Sequence, residues 1–307
     1  MFSAHPVPAP VVKAQPDGRR SRHIDAQEPS FTYKIRESQD AWKLARQLKI
    51  LTPLQAVDHK LEGTRFAAAL GVRAPQVLTG PAPLPKLKVP SCASFTLKPL
   101  RGTSGKGVLL LNREKGGFRD ILSGDFHSSW HGACDNAAAA VKYASPFYTE
   151  ELVNEDVRGG TCPDDFKFYC FYGVAGLILQ KRRLDHRQAS YRWLDRSWRP
   201  VETGRYSKKI DAGLTTPRRK DELLAAAELL SSQVPAPFLR VDLYNGEQGP
   251  VFGEFTPHPG GFHTFSKEWD VVLGRLYEEA AARLQLDLLR QKFNLEQFWE
   301  RIRAARA

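Results

Sequence analysis

The chain has 307 residues, a formal net charge of +11 and a sequence pI near 9.5. This length allows a large core in about two or three subdomains, and the basic charge favours anionic partners such as nucleotides or phosphorylated substrates. The sequence contains no apolar run of about 18 residues that would predict a membrane-spanning helix. No nucleic-acid-binding motif accompanies the dispersed basic residues, so we expect no nucleic-acid partner.

The first third of the chain is predicted to be mainly helical. Residues 1–30 are rich in Pro, Arg and Ala and predict a disordered or loosely docked tail. The elements predicted next are helices at 38–51 and 53–70 and a short strand at 77–78. Gly71 is placed to end the second helix as a C′ glycine, and a Pro-rich connector follows at 75–90.

The middle of the chain is β-rich, and its end is helical. Apolar runs predict strands at 95–98, 107–111, 147–153, 166–172, 177–184, 238–244 and 250–256. Helices are predicted at 136–144, 218–233, 268–286 and 295–305. The segment 191–205 is predicted as a charged loop whose aromatic residues either cover a substrate or pack the loop. This order predicts an α+β or mixed α/β fold.

The four cysteines, Cys92, Cys134, Cys162 and Cys170, have neither C-x-x-C nor zinc-site spacing. They are too few for a disulfide scaffold in a chain of this length, so we expect reduced thiols. The beginning of the chain also lacks the apolar segment of a secretory signal. These features predict a cytoplasmic protein.

Two carboxylates on the last predicted hairpin are the strongest indication of function. If the turn sequence 245–249 is symmetric about Gln248, Asp242 lies directly opposite Glu254. Cross-strand Cβ atoms are about 4.5–5.5 Å apart, so the two charges repel unless a cation lies between them. Because Mg²⁺ prefers one or two carboxylates together with phosphate oxygens, the hairpin predicts a magnesium–nucleotide site. The alternative is a solvated hairpin with two surface acids.

A loop containing Gly102, Thr103, Ser104 and Gly105 separates two predicted strands. It fits neither the Walker A motif nor G-x-G-x-x-G, and a strand follows it rather than a helix. Its backbone N–H groups can still bind phosphate, and Lys98, at the end of an apolar strand, needs an anionic partner. The loop and Lys98 therefore predict phosphate binding; the alternative is a flexible hairpin with an exposed lysine.

Two basic residues form a further pair. If Val174-Ala175 is a two-residue turn, Lys167 lies opposite Arg182, and an anion between them would balance their charges. On an exposed face the pair would be harmless, and the acids at 164–165 could equally belong to a loop.

Five segments in this order resemble the ATP-grasp superfamily, and most closely its TupA-like branch, over about residues 55–280. The segments are Asp58-His59-Lys60, 95–107, 147–153, 163–173 and 240–256. The third resembles the adenine-binding hinge. The fourth resembles the branch's Asp-Tyr-Lys-Phe strand, with Phe166 in place of the usual Tyr. The founding members of this branch are linked to cell-wall polymer biosynthesis.

The resemblance implies an ATP-grasp fold, in which two α+β subdomains hold a nucleotide whose phosphates are bridged by Mg²⁺. The chain would then divide into a tail (1–30), an α-rich region (31–90), a subdomain with the glycine loop (91–153), a subdomain with the metal hairpin (154–290) and a C-terminal helix (291–307).

The resemblance also implies a role for individual residues. The residues that would contact ATP phosphates are Lys60, Lys98, Gly102, Thr103, Ser104 and Gly105. Those that would border adenine and ribose are Glu150, Glu151, Leu152 and Val153. Asp242 and Glu254 would hold Mg²⁺, and Arg182, with Lys167, would stabilise the transferring phosphoryl group or an acyl phosphate.

The residues that would face the substrate are Arg240, Thr256, His258, Gly260 and Gly261. Thr256 stands where many ATP-grasp ligases carry Asn, and a hydroxyl is a weaker metal ligand. For His258, the alternative is packing within the loop.

The reaction implied by the resemblance is an ATP-dependent ligation with ATP and Mg²⁺ as cofactors. A carboxylate would be activated as an acyl phosphate, and an amine would attack it to form an amide. The substrates would be small-molecule or glycan acids and amines from a cell-surface polysaccharide or a peptide-like metabolite. Two alternatives are an ATP-grasp kinase and a nucleotide-binding regulatory protein without turnover. The sequence does not indicate an oligomeric state.

Overall fold

A computed structural model describes residues 28–102, 105–142, 144–154 and 162–306. The helices within these ranges are α1 (Phe31–Gln47), α2 (Pro53–Asp58), α3 (Lys60–Ala69), α4 (Trp130–Ala139), α5 (Lys220–Ser232), α6 (Lys267–Leu289) and α7 (Leu295–Arg306). The strands are β1 (Val77–Ala82), β2 (Ser94–Pro99), β3 (Leu109–Glu114), β4 (Gly117–Asp120), β5 (Phe126–His127), β6 (Phe147–Glu151), β7 (Asp165–Cys170), β8 (Ala175–Arg183), β9 (Ala189–Leu194), β10 (Leu239–Gly246) and β11 (Gly249–Thr256).

The strands form two antiparallel sheets. The six-stranded sheet has the order β1-β6-β2-β3-β4-β5, and the five-stranded sheet has the order β11-β10-β7-β8-β9. Helices cover both sheets, which confirms the α+β prediction. No helix of the described residues is both long and apolar enough to cross a membrane.

Each face of the six-stranded sheet has a different character, because side chains alternate along a strand. Phe95, Leu97 and Phe147 point to one face and form a core with Ala133 and Ala137 of α4. The neighbouring positions on β2 and β6 carry Lys98, Tyr148 and Glu150, which share the opposite face. The groups of this polar face lie close enough to Glu254 of the other sheet to interact with its charge. We call the space between the two polar faces the cleft, and this face is one of its walls.

The five-stranded sheet has one mainly apolar face and one divided face. Phe166, Phe168 and Cys170 of β7 lie in the core formed with α2, α3, α5 and α7. On the other face, Tyr169 and Phe171 pack under α1 and α6, whereas Asp165 and Lys167 lie beyond these helices. The polar half of this face is the second wall of the cleft.

Helix α1 begins seven positions before the predicted start at 38, and its cap explains the difference. Ser30 accepts a hydrogen bond from the backbone N–H of Tyr33 at 3.1 Å, as an N-cap residue does. The hydroxyl of Ser30 and the backbone N–H of Thr32 both donate to Asp270 of α6, at 2.6 and 2.8 Å. The end of the predicted tail is therefore anchored, while residues 1–27 lie outside the described residues.

The helix predicted at 53–70 is two helices. His59 between them has extended backbone angles (φ −70°, ψ 119°), so Lys60 begins a new helix. Gly71 has φ +81° just after the second helix, which confirms the C′ glycine.

Several other expectations were wrong in detail. The helix predicted at 136–144 is α4, which begins at Trp130 because Ser129 caps it and the indole packs on Phe95. Strands β4 and β5 were not predicted, and β9 occupies part of the segment expected to be a loop. These strands are short or carry mixed charge, so their sequences lack a strong period-two pattern.

All four cysteines are unpaired.

Candidate active site

The hairpin of β10 and β11 pairs Asp242 with Glu254, as predicted, although its turn differs from the prediction. The strands continue to Gly246 and Gly249, which leaves a two-residue turn. A register shift next to Asp242 makes Gly253 the extra residue of a β-bulge. The bulge and the shorter turn offset each other, so the two carboxylates still lie opposite one another.

The Asp242 carboxylate is buried and surrounded by cations. Arg240 donates to its two oxygens at 2.6 and 2.7 Å, and the Lys167 ammonium also contacts it. Arg240 makes a further hydrogen bond to the Thr256 hydroxyl at 2.8 Å. Its contact with Glu254 is looser, at 3.6 Å, and the Glu254 side chain is 43% exposed.

The opposite charges of this wall favour the ionised forms of Lys167 and Glu254. Burial opposes the charged form of Lys167, but Asp165, at 2.6 Å, and Asp242 outweigh it and raise the lysine pKa. Burial likewise opposes a charged Glu254, but Lys167 and Arg240 outweigh it and lower the pKa of Glu254. Lys167 and Glu254 therefore both favour their charged forms at neutral pH.

The opposite wall holds a simpler arrangement. Lys98 forms an ion pair with the buried carboxylate of Glu150. Lys60 donates to the carbonyl oxygen of Pro99 at 2.9 Å. Burial lowers the pKa of Lys60, and the charge of Glu254 on the other wall partly offsets this effect. Lys60 thus lies between the two walls.

The predicted adenine hinge is at the end of β6. Glu150 faces the cleft, Glu151 forms an ion pair with Arg73, and Leu152 and the buried Val153 continue the chain out of the strand. The hinge therefore borders the cleft, and its contact with a nucleotide stays a prediction.

The glycine loop follows β2, at one end of the cleft. Thr103 and Ser104 lie outside the described residues, but Gly102 and Gly105 are described. Gly105 has φ +71° and lies directly against the guanidinium of Arg183, where a Cβ atom would collide with it. The loop therefore touches the end of β8, across the cleft.

The expected pairing of Lys167 with Arg182 is wrong. The turn between β7 and β8 is formed by Tyr172 and Gly173, both with positive φ (+43° and +82°). These backbone angles are those of a type I′ hairpin turn. The predicted turn, Val174-Ala175, lies two residues too late in the chain. Lys167 lies opposite Leu179 instead.

The change of register moves Arg182 to the other face, because a shift by an odd number of residues reverses every side chain. Arg182 donates to both oxygens of the buried Asp164, at 2.8 Å each, and Gln180 binds the same carboxylate. Lys181 and Arg183 take the places on the face of Lys167.

Sequence analysis missed Lys181, which pairs with Asp165. Burial, together with the charge of Arg183, lowers the pKa of Lys181 to about 8. Assigning the turn to Tyr172-Gly173 would not by itself have revealed it, because the register shift between Tyr169 and Cys170 also decides which residues of β8 face the cleft.

The segment after β11 divides into a packed part and an exposed part. His258 contacts Ser38 at 3.0 Å and stacks edge-on against Trp42, and burial lowers its pKa to about 4. Its environment agrees with the packing alternative. Gly260 is exposed, and its carbonyl accepts a hydrogen bond from Arg205 at 2.5 Å, while Gly261 has φ +68°.

The sequence matches the family model of the TupA-like ATP-grasp proteins over residues 86–278. The chain belongs to the TupA-like ATP-grasp family. Proteins of this family use ATP with Mg²⁺. No curated protein matches the sequence.

Among solved structures, three similar ones are ATP-grasp ligases or related synthetases. D-cycloserine synthetase DcsG is 16% identical, with 81% of each chain covered and a TM-score of 0.44. The D-alanine–D-alanine ligase from Bacillus anthracis complexed with ATP is 12% identical, covering 80% of this chain and 75% of that one, with a TM-score of 0.45. The ATP-grasp ligase PsnB complexed with a precursor variant, Mg and ADP is 16% identical, covering 74% and 58%, with a TM-score of 0.37.

The residues of this TupA-like protein fit a magnesium ion. Glu254 is partly exposed and only loosely paired, so its oxygens can accept a metal, and Asp242 lies directly opposite. Asp242 already accepts three hydrogen bonds, and a carboxylate has about four lone-pair sites, so one site remains. The described residues contain no cluster of three metal-binding side chains, so phosphate oxygens and water would complete the coordination.

Proposed function

We propose that this protein is an ADP-forming carboxylate–amine ligase. The observation that carries the proposal is the pair of opposed carboxylates, Asp242 and Glu254, in a cleft that also contains Lys60, Lys98 and Lys167. A pair of acids for a metal and a set of lysines for phosphates is the combination that phosphoryl transfer requires, since its catalysis consists mainly of positioning and charge neutralisation.

In this proposal ATP lies between the two sheets. Glu150, Glu151, Leu152 and Val153 border adenine and ribose, at the end of β6. Lys60, Lys98 and the glycine loop bind the phosphates. Lys98 must then exchange its ion pair with Glu150 for a phosphate oxygen, whereas Lys60 already reaches towards both walls.

Asp242 and Glu254 would hold Mg²⁺, which would neutralise negative charge that develops during phosphoryl transfer. Lys167 and Arg240 hold the Asp242 carboxylate in position through their hydrogen bonds. The role that the sequence suggested for Arg182 passes to Lys181 and Arg183, because these two residues share the face of Lys167 and Arg182 does not.

The proposed chemistry has two steps. A carboxylate oxygen of the acid attacks the γ-phosphorus of ATP, and the bond to the bridging oxygen breaks to release ADP and leave an acyl phosphate. The amine nitrogen then attacks the carbonyl carbon, inorganic phosphate leaves, and the amine loses a proton. The cations of the cleft stabilise the negative charge in both steps.

The acid and the amine are proposed to belong to a cell-surface polysaccharide or a peptide-like metabolite. The support for this class is membership of the TupA-like family, a branch whose founding members are linked to cell-wall polymer biosynthesis.

The decisive experiment measures ADP and phosphate release with ATP, Mg²⁺ and pooled amino acids, uronic acids and amino sugars. A ligase releases phosphate when an acid and an amine are both present, and mass spectrometry finds a condensed product. A stable phosphorylated product without free phosphate would instead indicate a kinase. ATP binding without ADP release across all pools would indicate a regulatory protein. Glu254→Gln serves as the inactive control.

A further inference from the structure

Arg205, in the segment that follows β9, is a buried cation without an acidic partner. Its residue is only 7% exposed, and it forms no ion pair with a carboxylate of the described residues. Its hydrogen bonds go to neutral oxygens: the hydroxyls of Tyr169 at 3.1 Å and Tyr206 at 2.7 Å, and the carbonyl of Gly260 at 2.5 Å. Its Nε–H is buried and has no acceptor.

Aromatic rings surround the guanidinium. Its central carbon lies 4.6 Å from the ring centre of Tyr206, 5.4 Å from Phe265 and 5.9 Å from Trp193. The negative faces of such rings attract a cation but do not balance its charge. An unpaired buried charge is unfavourable, so the site lacks one anionic group.

The second buried arginine on this face provides a direct comparison. Arg240 lies opposite Tyr169 in the sheet and has the carboxylate of Asp242 as its partner. Arg205 reaches the hydroxyl of the same Tyr169 from the loop side. The two guanidinium groups thus flank one tyrosine, but only Arg240, on the side of the metal hairpin, has its charge balanced within the chain.

The chain is built to bring Arg205 next to the loop that follows β11. Gly261 adopts φ +68°, and a Cβ atom there would lie 2.9 Å from the arginine Nη2. A side chain at this position would therefore push the guanidinium away. Gly260, whose carbonyl oxygen accepts the Arg205 hydrogen bond, is exposed, so this buried guanidinium contacts a residue at the protein surface.

We propose that Arg205 binds a substrate carboxylate and holds it beside the metal hairpin. This inference rests on the proposed ligase function, which requires a carboxylate substrate in the cleft. A planar guanidinium is well suited to carboxylate oxygens, and the unused Nε–H supplies a charge-assisted hydrogen bond. The aromatic rings keep water away and strengthen that bond.

The test measures binding of a panel of uronic acids and amino acids by calorimetry, each compared with its neutral amide and with inorganic phosphate. We expect the wild-type protein to bind at least one acid in preference to its amide. Arg205→Gln should weaken that binding by about 10-fold to 100-fold, as expected for a hydrogen bond to a charged group. Arg199→Gln, an exposed arginine paired with Asp195 in the same region, is the matched control and should bind normally.

A purely structural role for Arg205 would give a different result. In that case Arg205→Gln lowers the melting temperature but leaves the preference for acid over amide unchanged, which overturns the proposal. Arg205→Lys keeps the charge and the ring contacts, so it tests binding if the Gln variant does not fold; we expect an intermediate loss. Equal binding of every acid and its amide by the wild-type protein, or Arg205-dependent binding of phosphate alone, also overturns the proposal.

Failure of the ligase proposal is distinguishable from failure of this one. ATP binding and ADP release are measured on the same variants. Arg205→Gln should bind ATP normally, whereas Glu254→Gln should lose turnover and still bind the carboxylate. Loss of both kinds of binding in Arg205→Gln would indicate a general structural defect rather than a carboxylate site.

Discussion

The two walls of the cleft balance their charges in different ways. On the six-stranded sheet, Lys98 and Glu150 form a single ion pair. On the five-stranded sheet, Asp242 is shared by two cations that also contact other acids. The buried charges of the second wall share partners, so the removal of a shared one such as Asp242 affects both folding and chemistry. On the first wall, the removal of one member of the pair leaves a single partner unpaired.

The largest effect is expected for Asp242→Asn. It removes the shared partner of Lys167 and Arg240, whose side chains are only 13% and 11% exposed. Leaving buried cations without their partner costs about 3–5 kcal/mol, so both stability and turnover should fall. Urea unfolding and ADP release measure the two effects. Asp40→Asn, an exposed acid paired with Lys43, is the control, and equal stability of the two variants would contradict the network.

Glu254→Gln should separate chemistry from folding on the same wall. Glu254 is 43% exposed and its contact with Arg240 is 3.6 Å, so its removal should change the melting temperature little. Magnesium-dependent ADP release should nevertheless be lost, because the charged metal ligand is gone. Turnover at the wild-type rate would show that Glu254 is not a metal ligand.

On the simpler wall, Lys98→Met should weaken ATP binding by about 10-fold, the loss of one charge-assisted hydrogen bond. The buried Glu150 would lose its partner, so the single variant should also be less stable. In the double variant Lys98→Met/Glu150→Gln, stability should recover while ATP affinity stays low. Calorimetry and thermal unfolding distinguish these results; unchanged ATP affinity would exclude the phosphate role of Lys98.

The smallest effect concerns a contact between the walls. His186, beyond the end of β8, binds the buried Asp120 of β4. The hydrogen bond to Asp120 raises the pKa of His186. The pKa of Asp120 is lowered because His186 outweighs the effect of burial.

The sign of the pH dependence follows from these shifts. The histidine contribution is complete below its unfolded pKa of 6.5 and disappears as the pH rises through the raised folded pKa. The stabilisation that Asp120 contributes is present above its unfolded pKa of 3.8 and disappears as the pH falls through its lowered folded pKa. His186→Asn should therefore flatten the stability change that begins near pH 6.5 and extends through the raised folded pKa, measured by thermal unfolding. An unchanged profile would contradict the contact.

The pairing of Asp242 with Glu254 could be predicted from sequence alone because the two residues are close along the chain. Asp242 and Glu254 are joined by a short turn, and their pairing survives an incorrect turn because the bulge at Gly253 offsets the error. The pairing of Lys167 failed because of a turn and a register shift together. The turn at Tyr172-Gly173, taken alone, would move the partner of Lys167 from Arg182 to Ile178, which lies on the same face of β8. The register shift between Tyr169 and Cys170 makes Leu179 the partner instead, and this single step reverses the face.

The surroundings of Arg205 illustrate what sequence patterns do not contain. Tyr169 and Gly260, which accept its hydrogen bonds, are 36 and 55 residues away along the chain. Strand β9, which brings Arg205 towards them, carries too mixed a pattern to be predicted. Such a site depends on tertiary packing, and periodicity reports only which face of one element is apolar.

The anchoring of α1 has a consequence for how the chain acquires its fold. Asp270 of α6 binds Ser30 and Thr32, which lie 240 and 238 positions earlier. During synthesis, the apolar half of the five-stranded sheet therefore stays uncovered until α6 has emerged from the ribosome. Contacts so distant along the chain carry a large loop-closure cost and form slowly. We expect refolding to be slow and sensitive to protein concentration, since the uncovered sheet is the surface through which unfinished chains would aggregate.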